Sequence, residues 1–417
     1  MGFVDDLQSG RWGLRLTIPA AWRVHEEHPG RVVFVDAEHR VGWHVAHAPV
    51  AFDLRPEHDE VLRRDLDRHA RYAFTRQYKD LQLPAEAAAR RKPPRTQDPR
   101  WPNWTPIIEI ERIQVGGADA LRVLRRLAYE EALEVVLGSL LVPLQMGLCE
   151  ITAFHRTAEP GHRELHLVNL ALQRYPGRSA EEVTRLLGQA YLDDRAHDEQ
   201  FPQSAVALVR RALRWLLEEA RLVEVSAPMS PPPVGEVELR AADCIITPPP
   251  RYLPIATQGL GVPTGMAVLT RGLLDATDNP RVLDVWLLPD VMLTAQGRQD
   301  QLLQLARRHA NDWEKQGATE LEIEVAALPP VAEQLRARSA VRMRIGGEAA
   351  HSVTRWLAEP DGRVYRISLG APSYVPADEL EAEADAAMRS FRRLTRPRSN
   401  AWLTSDLRLR PAEPRPN

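Results

Sequence analysis

Along the chain the spacing of apolar residues switches between period two and a period near 3.6, and each switch marks a change of element. The stretch "WGLRLTIPAAWRV" (Trp12 to Val24) alternates as a strand, stops at Pro19 and sets Trp22 just beyond it. "RVVFVDAEHRVGWHVAHA" (Arg31 to Ala48) reads as two strands rich in Val and aromatic residues around an Asp-Ala-Glu-His turn. Between 56 and 76 the residues Val61, Leu62, Leu66, His69 and Tyr72/Ala73 share one helical face, behind an acidic first turn of Glu57, Asp59 and Glu60. Strands are expected at Ile107 to Val115, Ala120 to Tyr129, Leu133 to Leu141, Gly147 to Arg156 and Glu164 to Leu172. Helices come next at Ser179 to Leu192, where Ser179 and Glu182 have the spacing of a capping box, and at Ser204 to Val223. A run of antiparallel-type strands flanked by helices predicts an α+β fold rather than strict βαβα alternation.

Proline-rich breaks divide this pattern. Residues 84–106 ("PAEAAARRKPPRTQDPRWPNWTP") mix proline with charge, which blocks both a helix and a central strand, so they read as a long insertion. Residues 226–235 ("SAPMSPPPVG") have the composition of a semi-rigid connector. A chain of 417 residues exceeds what one core usually serves. The expected division is therefore a first domain over 1–225, a linker over 226–235, a second domain over 236–395 and an extended tail over 396–417, in which Trp402 and Leu403 are candidates to dock on a surface.

The plan of the first half returns in the second. Pro19 and Trp22 behind Thr17 are matched by Pro249 and Tyr252 behind Thr247. Arg-His-Ala occurs at Arg68 to Ala70 and at Arg308 to Ala310, each within the first long helix of its half. Ala120-Leu121-Arg122-Val123 is echoed by Ala340-Val341-Arg342-Met343 on a strand, and Ala-Glu-Pro at Ala158 to Pro160 by the same tripeptide at Ala358 to Pro360 at a late hairpin turn. Matches in one order, each on the same kind of expected element, point to two tandem copies of one module.

"WGLRLTIPAAWRV" resembles the opening of the PsbP-like superfamily, which includes DcrB-like bacterial proteins. "GRVYRISLGAPSYVPADELEAEADAAMRSFRRL" resembles its ending, a core strand with Tyr365 and Ile367, a turn, and a helix carrying Ala384, Met388 and Phe391. The resemblance spans about 10–222 and 236–395. It implies two α/β sandwiches, each a mainly antiparallel sheet packed against helices. It also implies a binding or assembly role, since members of the superfamily include photosystem subunits, a nuclear-import regulator and chaperones of type VI effectors. No catalytic residue comes with the resemblance, and a shared fold is an associational argument only.

Composition adds mostly exclusions. The chain is 44% hydrophobic and 27% charged with a formal charge of −3, which gives no electrostatic case for nucleic acid or an anionic membrane. Cys149 and Cys244 lack the number and spacing of a disulfide framework or metal site, so a reducing, cytoplasmic setting is expected. The N-terminus has acidic residues where a secretory signal is basic. The most apolar window, Leu133 to Leu148, contains Glu134 and Pro143 and is too short to span a bilayer, so it reads as a buried strand pair.

Candidate chemistry is sparse. His44 and His47 lie three apart on a strand and so point to opposite faces, which makes them poor co-ligands for a metal. Eleven of the thirteen histidines fall in the first half and read as scattered over a solvated face. Asp193/Asp194 and Glu218/Glu219 read as solvated helix faces, and "QGLGVPTG" at Gln258 to Gly265 as a turn without phosphate-loop spacing. No cofactor is expected. Trp101, Trp104, Arg95 and Arg100, in the proline-rich insertion, are of the types that dominate protein interfaces and are the candidate partner-binding residues. The function expected is that of a non-enzymatic protein-binding adaptor or chaperone-like protein, associated with a bacterial secretion or effector system. The alternatives are an enzyme with a site assembled between the two halves, and a structural or immunity subunit of a larger assembly.

Overall fold

A computed structural model describes residues 2–80, 106–128, 134–157, 162–229, 235–255, 262–272, 281–394 and 408–409. The chain forms two compact units, each with its own core. Of the described residues, the first unit holds 2–48 and 59–229, and the second holds 49–58, 235–272 and 281–394.

The first unit begins with helix α1 (Phe3–Ser9) and strands β1 (Leu14–Leu16), β2 (Arg23–His28), β3 (Arg31–Asp36) and β4 (Val41–Ala48). Helix α2 (Asp59–Asp80) precedes four long strands, β5 (Ile107–Val115), β6 (Ala118–Ala128), β7 (Glu134–Leu144) and β8 (Gly147–Thr157). Then come α3 (His162–Arg174), α4 (Ala180–Leu192), α5 (Ala205–Arg214), a π-turn at Trp215–Glu219 and β9 (Val223–Val225). Seven strands form one sheet in the order β2-β3-β4-β8-β7-β6-β5, every pairing antiparallel. From Glu134 on, the apolar window that ends at Leu148 is a strand pair, with Leu140, Leu144 and Leu148 fully buried.

The second unit contains β10 (Val237–Leu239), β11 (Cys244–Ile246), β12 (Leu253–Pro254), β13 (Met266–Arg271) and β14 (Arg281–Met292). These lead to helix α6 (Arg298–Lys315), strands β15 (Thr319–Val331), β16 (Gln334–Ile345), β17 (Glu348–Ala358) and β18 (Arg363–Pro372), helix α7 (Ala377–Ser390) and the short β19 (Arg392–Arg393). Its seven-stranded sheet runs β12-β13-β14-β18-β17-β16-β15, which is the order of the first sheet element for element. Around it the correspondence continues. β1 pairs with β9 across the first unit, and β11 pairs with β19 across the second, each joining the strand before the proline to the strand after the closing helix.

The opening motif explains the shape of this correspondence. β1 ends at Leu16, Pro19 cannot donate a ladder N–H to resume it, and the chain folds into a turn in which the Trp22 amide donates to the Pro19 carbonyl at 3.0 Å. Tyr252 donates to Pro249 in the same way at 3.2 Å. Both rings are then driven into their cores, Trp22 at 6% exposure and Tyr252 at 1%. Trp22 stacks on Trp43 with centroids 5.0 Å apart, and both indoles donate to the buried Asp36 carboxylate, at 3.1 and 3.2 Å. Tyr252 donates its hydroxyl to Glu383 of α7 at 2.9 Å.

Three expectations need correction. Residues 164–172 are helical, within α3, and not a strand: Leu167, Val168 and Ala171 are buried while Leu165 and Leu170 are exposed, a helical spacing. Glu164, Ala171 and the leucines at 165, 167, 170 and 172 favour helix, and Val168 is the only β-branched residue in the run. The Ala-Glu-Pro match is a coincidence of sequence: Ala358 to Pro360 turn from β17 into β18, whereas Ala158 comes after β8, the counterpart of β18. The Ala-Leu-Arg-Val match falls on equivalent strands but out of register. Val115 pairs with Ala118 and Val331 with Gln334 at the mouths of the two hairpins, which sets Ala120 against Arg336 rather than Ala340.

Residues 49–58 leave the first unit between β4 and α2 and pack in the second. There the Ala51 amide donates to Thr270 Oγ1 at 2.8 Å, its carbonyl accepts from Gly272 N at 3.0 Å, and the Phe52 ring lies 5.4 Å from the Arg251 guanidinium. Gly272 is required by this approach, because a Cβ there would sit 2.8 Å from the Ala51 oxygen.

Candidate functional site

The two units differ most in the segment after the eighth and eighteenth strands. In the second unit α7 starts a short turn after β18, but in the first the closing helix α5 is delayed by two extra helices, α3 and α4. These form an αα-hairpin. Its turn runs through Tyr175-Pro176-Gly177-Arg178 with Gly177 at φ 85°, a left-handed conformation that suits glycine. The capping box expected from the sequence is present: the Glu182 amide donates to Ser179 Oγ at 3.2 Å and Ser179 N to Glu182 Oε2 at 2.8 Å. Those bonds hold the Glu182 carboxyl below its usual range.

The hairpin has a core of its own. Leu167, Val168 and Ala171 of α3 close on Val183 and Leu192 of α4, with Leu172, Leu187 and Phe201 beside them. None of these residues belongs to the main core of the unit, which is built around Trp22, Phe34, Trp43 and Leu213. The attachment to the sheet is ionic. Arg163 of α3 donates to Asp198 Oδ1 at 2.6 Å, and Arg210 of α5 donates to the same oxygen at 2.8 Å. Arg210 also reaches Glu109 of β5 and the Asp193 carbonyl. Arg195 is bidentate on Glu109 at 3.0 and 2.9 Å and bonds Glu111 at 2.6 Å. Arg126 of β6 holds the Asp193 carboxylate.

Electrostatics reinforces the tether. Burial alone raises the Glu109 carboxyl, but the hydrogen bonds and charges of Arg195 and Arg210 overcome it and keep the group below its ordinary value. Glu111 is lowered first by its bond from Arg195 and further by Arg122. Asp193 therefore corrects the solvated-face reading: it is buried and accepts from Arg126 and Gln189. Asp194 beside it is exposed and caps the next turn through Ala196 N at 2.9 Å, and Glu218 and Glu219 are exposed as expected.

The exposed surface of the hairpin mixes apolar side chains with polar ones such as His166, Asn169 and Gln173. Among the described residues, Leu165, Leu170, Tyr175, Leu186 and Tyr191 are five of the twelve large hydrophobic side chains that remain substantially exposed, and Leu165 is exposed to 60%. Arg163, Arg174 and Arg185 are matched by Glu164, Glu181 and Glu182, so the charges of the two helices balance. Gly188 at φ 73° breaks α4 into two segments and redirects the one that carries Tyr191. Leu and Tyr on a charge-balanced helical surface are suited to hydrophobic docking and offer no nucleophile or acid–base pair.

The other candidates serve the fold. The Cys149 thiol is buried and pushed up to about 12 by burial and by Glu150, which disfavours a thiolate, and burial with the Asp243 charge likewise raises Cys244. His47 stacks on Trp12 with centroids 4.7 Å apart, and burial lowers its pKa. Among the described residues no cluster of three or more His, Cys, Asp or Glu has metal-binding geometry. In the second unit Arg271 and Arg281 are buried against Glu383 at 2.7 and 3.1 Å, and Arg281 reaches Glu379 at 2.8 Å, which ties β13 and β14 to α7. His309 of α6 accepts from Arg366, whose other nitrogen bonds Asp284 and whose plane lies 4.9 Å from the Trp286 ring. Burial and then the Arg366 charge lower His309 to about 4.

Trp101, Trp104, Arg95 and Arg100, with the rest of the proline-rich insertion up to residue 105, lie outside the described residues, as do Trp402 and Leu403 and the first four residues of the "QGLGVPTG" stretch. The hairpin is hard to see in the sequence because half of it passes for a strand. Its one legible signal is the Ser179/Glu182 box.

No protein-family model matches the chain, and no curated protein matches it. Among solved structures it is similar to the PsbP protein of Synechocystis sp. PCC 6803, at 17% identity and a TM-score of 0.27 over 36% of this chain and 87% of that one. It is similar also to LpqN of Mycobacterium tuberculosis, described as involved in cell envelope biogenesis, at 11% identity and a TM-score of 0.27 over 36% and 81% of the two chains. A third similarity, to the type VI immunity protein TplEi of Pseudomonas aeruginosa, has 9% identity and a TM-score of 0.22 over 90% and 99%.

Proposed function

We propose that this protein is a non-enzymatic, protein-binding adaptor made of two copies of one PsbP-like sandwich, and that the α3–α4 hairpin of the first copy is its docking element. The observation that carries the reading is the exposure of Leu165, Leu170, Tyr175, Leu186 and Tyr191 on a module that already has a complete core of its own. Exposed apolar side chains grouped in this way mark interaction sites. The occupant is an apolar face of a partner protein. Because the charges of the hairpin balance, binding is driven by area removed from water and depends only weakly on salt. A cytoplasmic setting and a place in a bacterial secretion or effector system belong to the same reading; they rest on the unpaired cysteines and on the resemblance of the opening and closing motifs.

The test is co-purification of the native full-length chain, identification of the partner, and reconstitution from the two purified proteins. Leu186→Glu with Tyr191→Ser is expected to weaken the reconstituted complex at least ~30-fold, with wild-type circular dichroism and little change between low and high salt. An unchanged affinity overturns the assignment. So does concentration-dependent self-association of the wild type that the same substitutions abolish, since the face is then a contact between copies of this chain.

A further inference from the structure

We propose that the outer edge of β15, in the second unit, is a strand-addition site for an extended protein segment with basic residues at alternate positions. Among the described residues β15 is the last strand of its sheet and pairs with β16 alone. Its register is irregular near both ends, between Thr319 and Glu322 and between Leu328 and Val331, where Pro329 and Pro330 also lie. Between them, Glu322 to Leu328 run in unbroken register against Arg342 to Arg336. Bulges and prolines are devices that protect a sheet edge. Here they stand at the ends and leave the central seven residues regular.

The side chains specify what this edge accepts. Glu322 and Glu324 form a column on one face, ion-paired within the sheet to Arg342 at 3.3 Å and to Arg338, and Glu320, in the irregular stretch before them, pairs with Arg344 at 3.9 Å. The carboxylates of Glu320, Glu322 and Glu324 stay 72%, 73% and 63% exposed, so an added strand meets them as its cross-strand neighbours. Leu321 and Val325, from the alternate positions, join the apolar clusters beneath α6. The column disfavours a second copy of this edge in the register centred on Ile323, which sets Glu322 against Glu324 and Glu324 against Glu322 of the other chain, since like charges directly opposite are destabilising.

The first unit shows one member of this column engaged. Glu109 of β5 pairs with Leu124 and Glu324 of β15 with Ala340, and Leu124 and Ala340 stand six residues into strands that start at Ala118 and Gln334. Glu109 and Glu324 are thus counterparts. Glu109, with its neighbour Glu111, is held from outside the sheet by Arg195, and by Arg210 as well. At Glu324 the ion pair among the described residues is with Arg338 of the adjacent strand. What the inserted segment supplies to the first edge as arginine, a partner supplies to the second.

The probe is a nine-residue peptide alternating arginine and valine, added to the full-length chain and read by fluorescence anisotropy and by amide hydrogen exchange. The expected result is slowed exchange confined to Glu322–Leu328 and binding at least ~10-fold weaker in E322K/E324K, whose exposed ion pairs contribute little to folding. A glutamate–valine peptide is expected not to bind. Two results overturn the proposal: equal binding by a peptide N-methylated at alternate backbone nitrogens, which shows attraction without strand pairing, or protection that appears elsewhere or nowhere.

Discussion

Arg163 and Arg210, from two different helices, donate to one and the same oxygen, Asp198 Oδ1, at 2.6 and 2.8 Å. Both guanidinium groups are largely buried, so that oxygen is the point at which the inserted hairpin is joined to the closing helix of the sandwich. Breaking a buried pair by removing one partner leaves charge stranded, at about 3 kcal/mol. Asp198→Ala is therefore expected to free the hairpin while the sheet persists. Limited proteolysis would show early cuts between 162 and 201; equal resistance in the variant and the wild type would show that the small apolar core holds the hairpin by itself.

Acid should loosen the same joint. Glu109 and Glu111 are held below their ordinary value of 4.5, so the folded state binds fewer protons than the unfolded one near and below that value. Their contribution is complete above pH 4.5 and is lost as the pH falls through their lowered folded values. Hydrogen exchange in α3 and α4 should accelerate below about pH 4.5 before that of β7 and β8 does. Simultaneous exposure of both regions would contradict this.

His309 gives the second unit a different acid response. It is lowered from 6.5 to about 4 by burial and then by Arg366, with Asp284 beyond Arg366 and Asp312 on its own helix opposing the shift. The unfolded chain takes up a proton below 6.5 that the folded chain resists until about 4, so stability falls as the pH drops across that window. The loss is about 2 kcal/mol after solvent screening. His309→Gln should flatten the dependence of the urea midpoint on pH between 6.5 and 4; an unaltered slope would assign it to other groups.

Gly138 sits on β7 where α5 crosses the sheet. A Cβ there would lie 2.6 Å from Val209 Cγ1 and 2.7 Å from Leu213 Cδ1, inside their van der Waals shells. Gly138→Val overpacks that crossing and should destabilise the first unit by about 2 kcal/mol. The check is the unfolding midpoint followed by Trp fluorescence, since Trp22, Trp43 and Trp215 cluster in that core.

How much of the fold and the hairpin is legible in the sequence depends on the range of the signal. Alternation in Arg31 to Ala48, the apolar run that ends at Leu148, the turn at Pro19 and the Ser179/Glu182 cap are local, and each marks an element that forms. Short matches between the halves are weaker guides. Pro19/Trp22 against Pro249/Tyr252 marks equivalent turns, but Ala-Glu-Pro does not, because register and strand order live in pairings between distant residues. The docking hairpin is hidden for the same reason. Glu164 to Leu172 alternates enough to pass for a strand, and Asp193 becomes a buried anchor only when Arg126, far back in the chain, arrives beside it.

The strap at 49–58 alters what counts as half of this molecule. Its residues are synthesised before α2, yet the atoms that Ala51 and Phe52 bind, on Thr270, Gly272 and Arg251, are made some two hundred residues later. A gene cut in the linker at 226–235 would yield a second half lacking one wall, and a first half trailing a loop whose destination is missing. Expressed alone, 236–395 should be less stable than the same residues in the whole chain, and a synthetic 49–58 peptide should restore part of the difference. However the two sheets came to share one strand order, the second unit now takes residues from both sides of the linker, so no single cut of the chain separates the two.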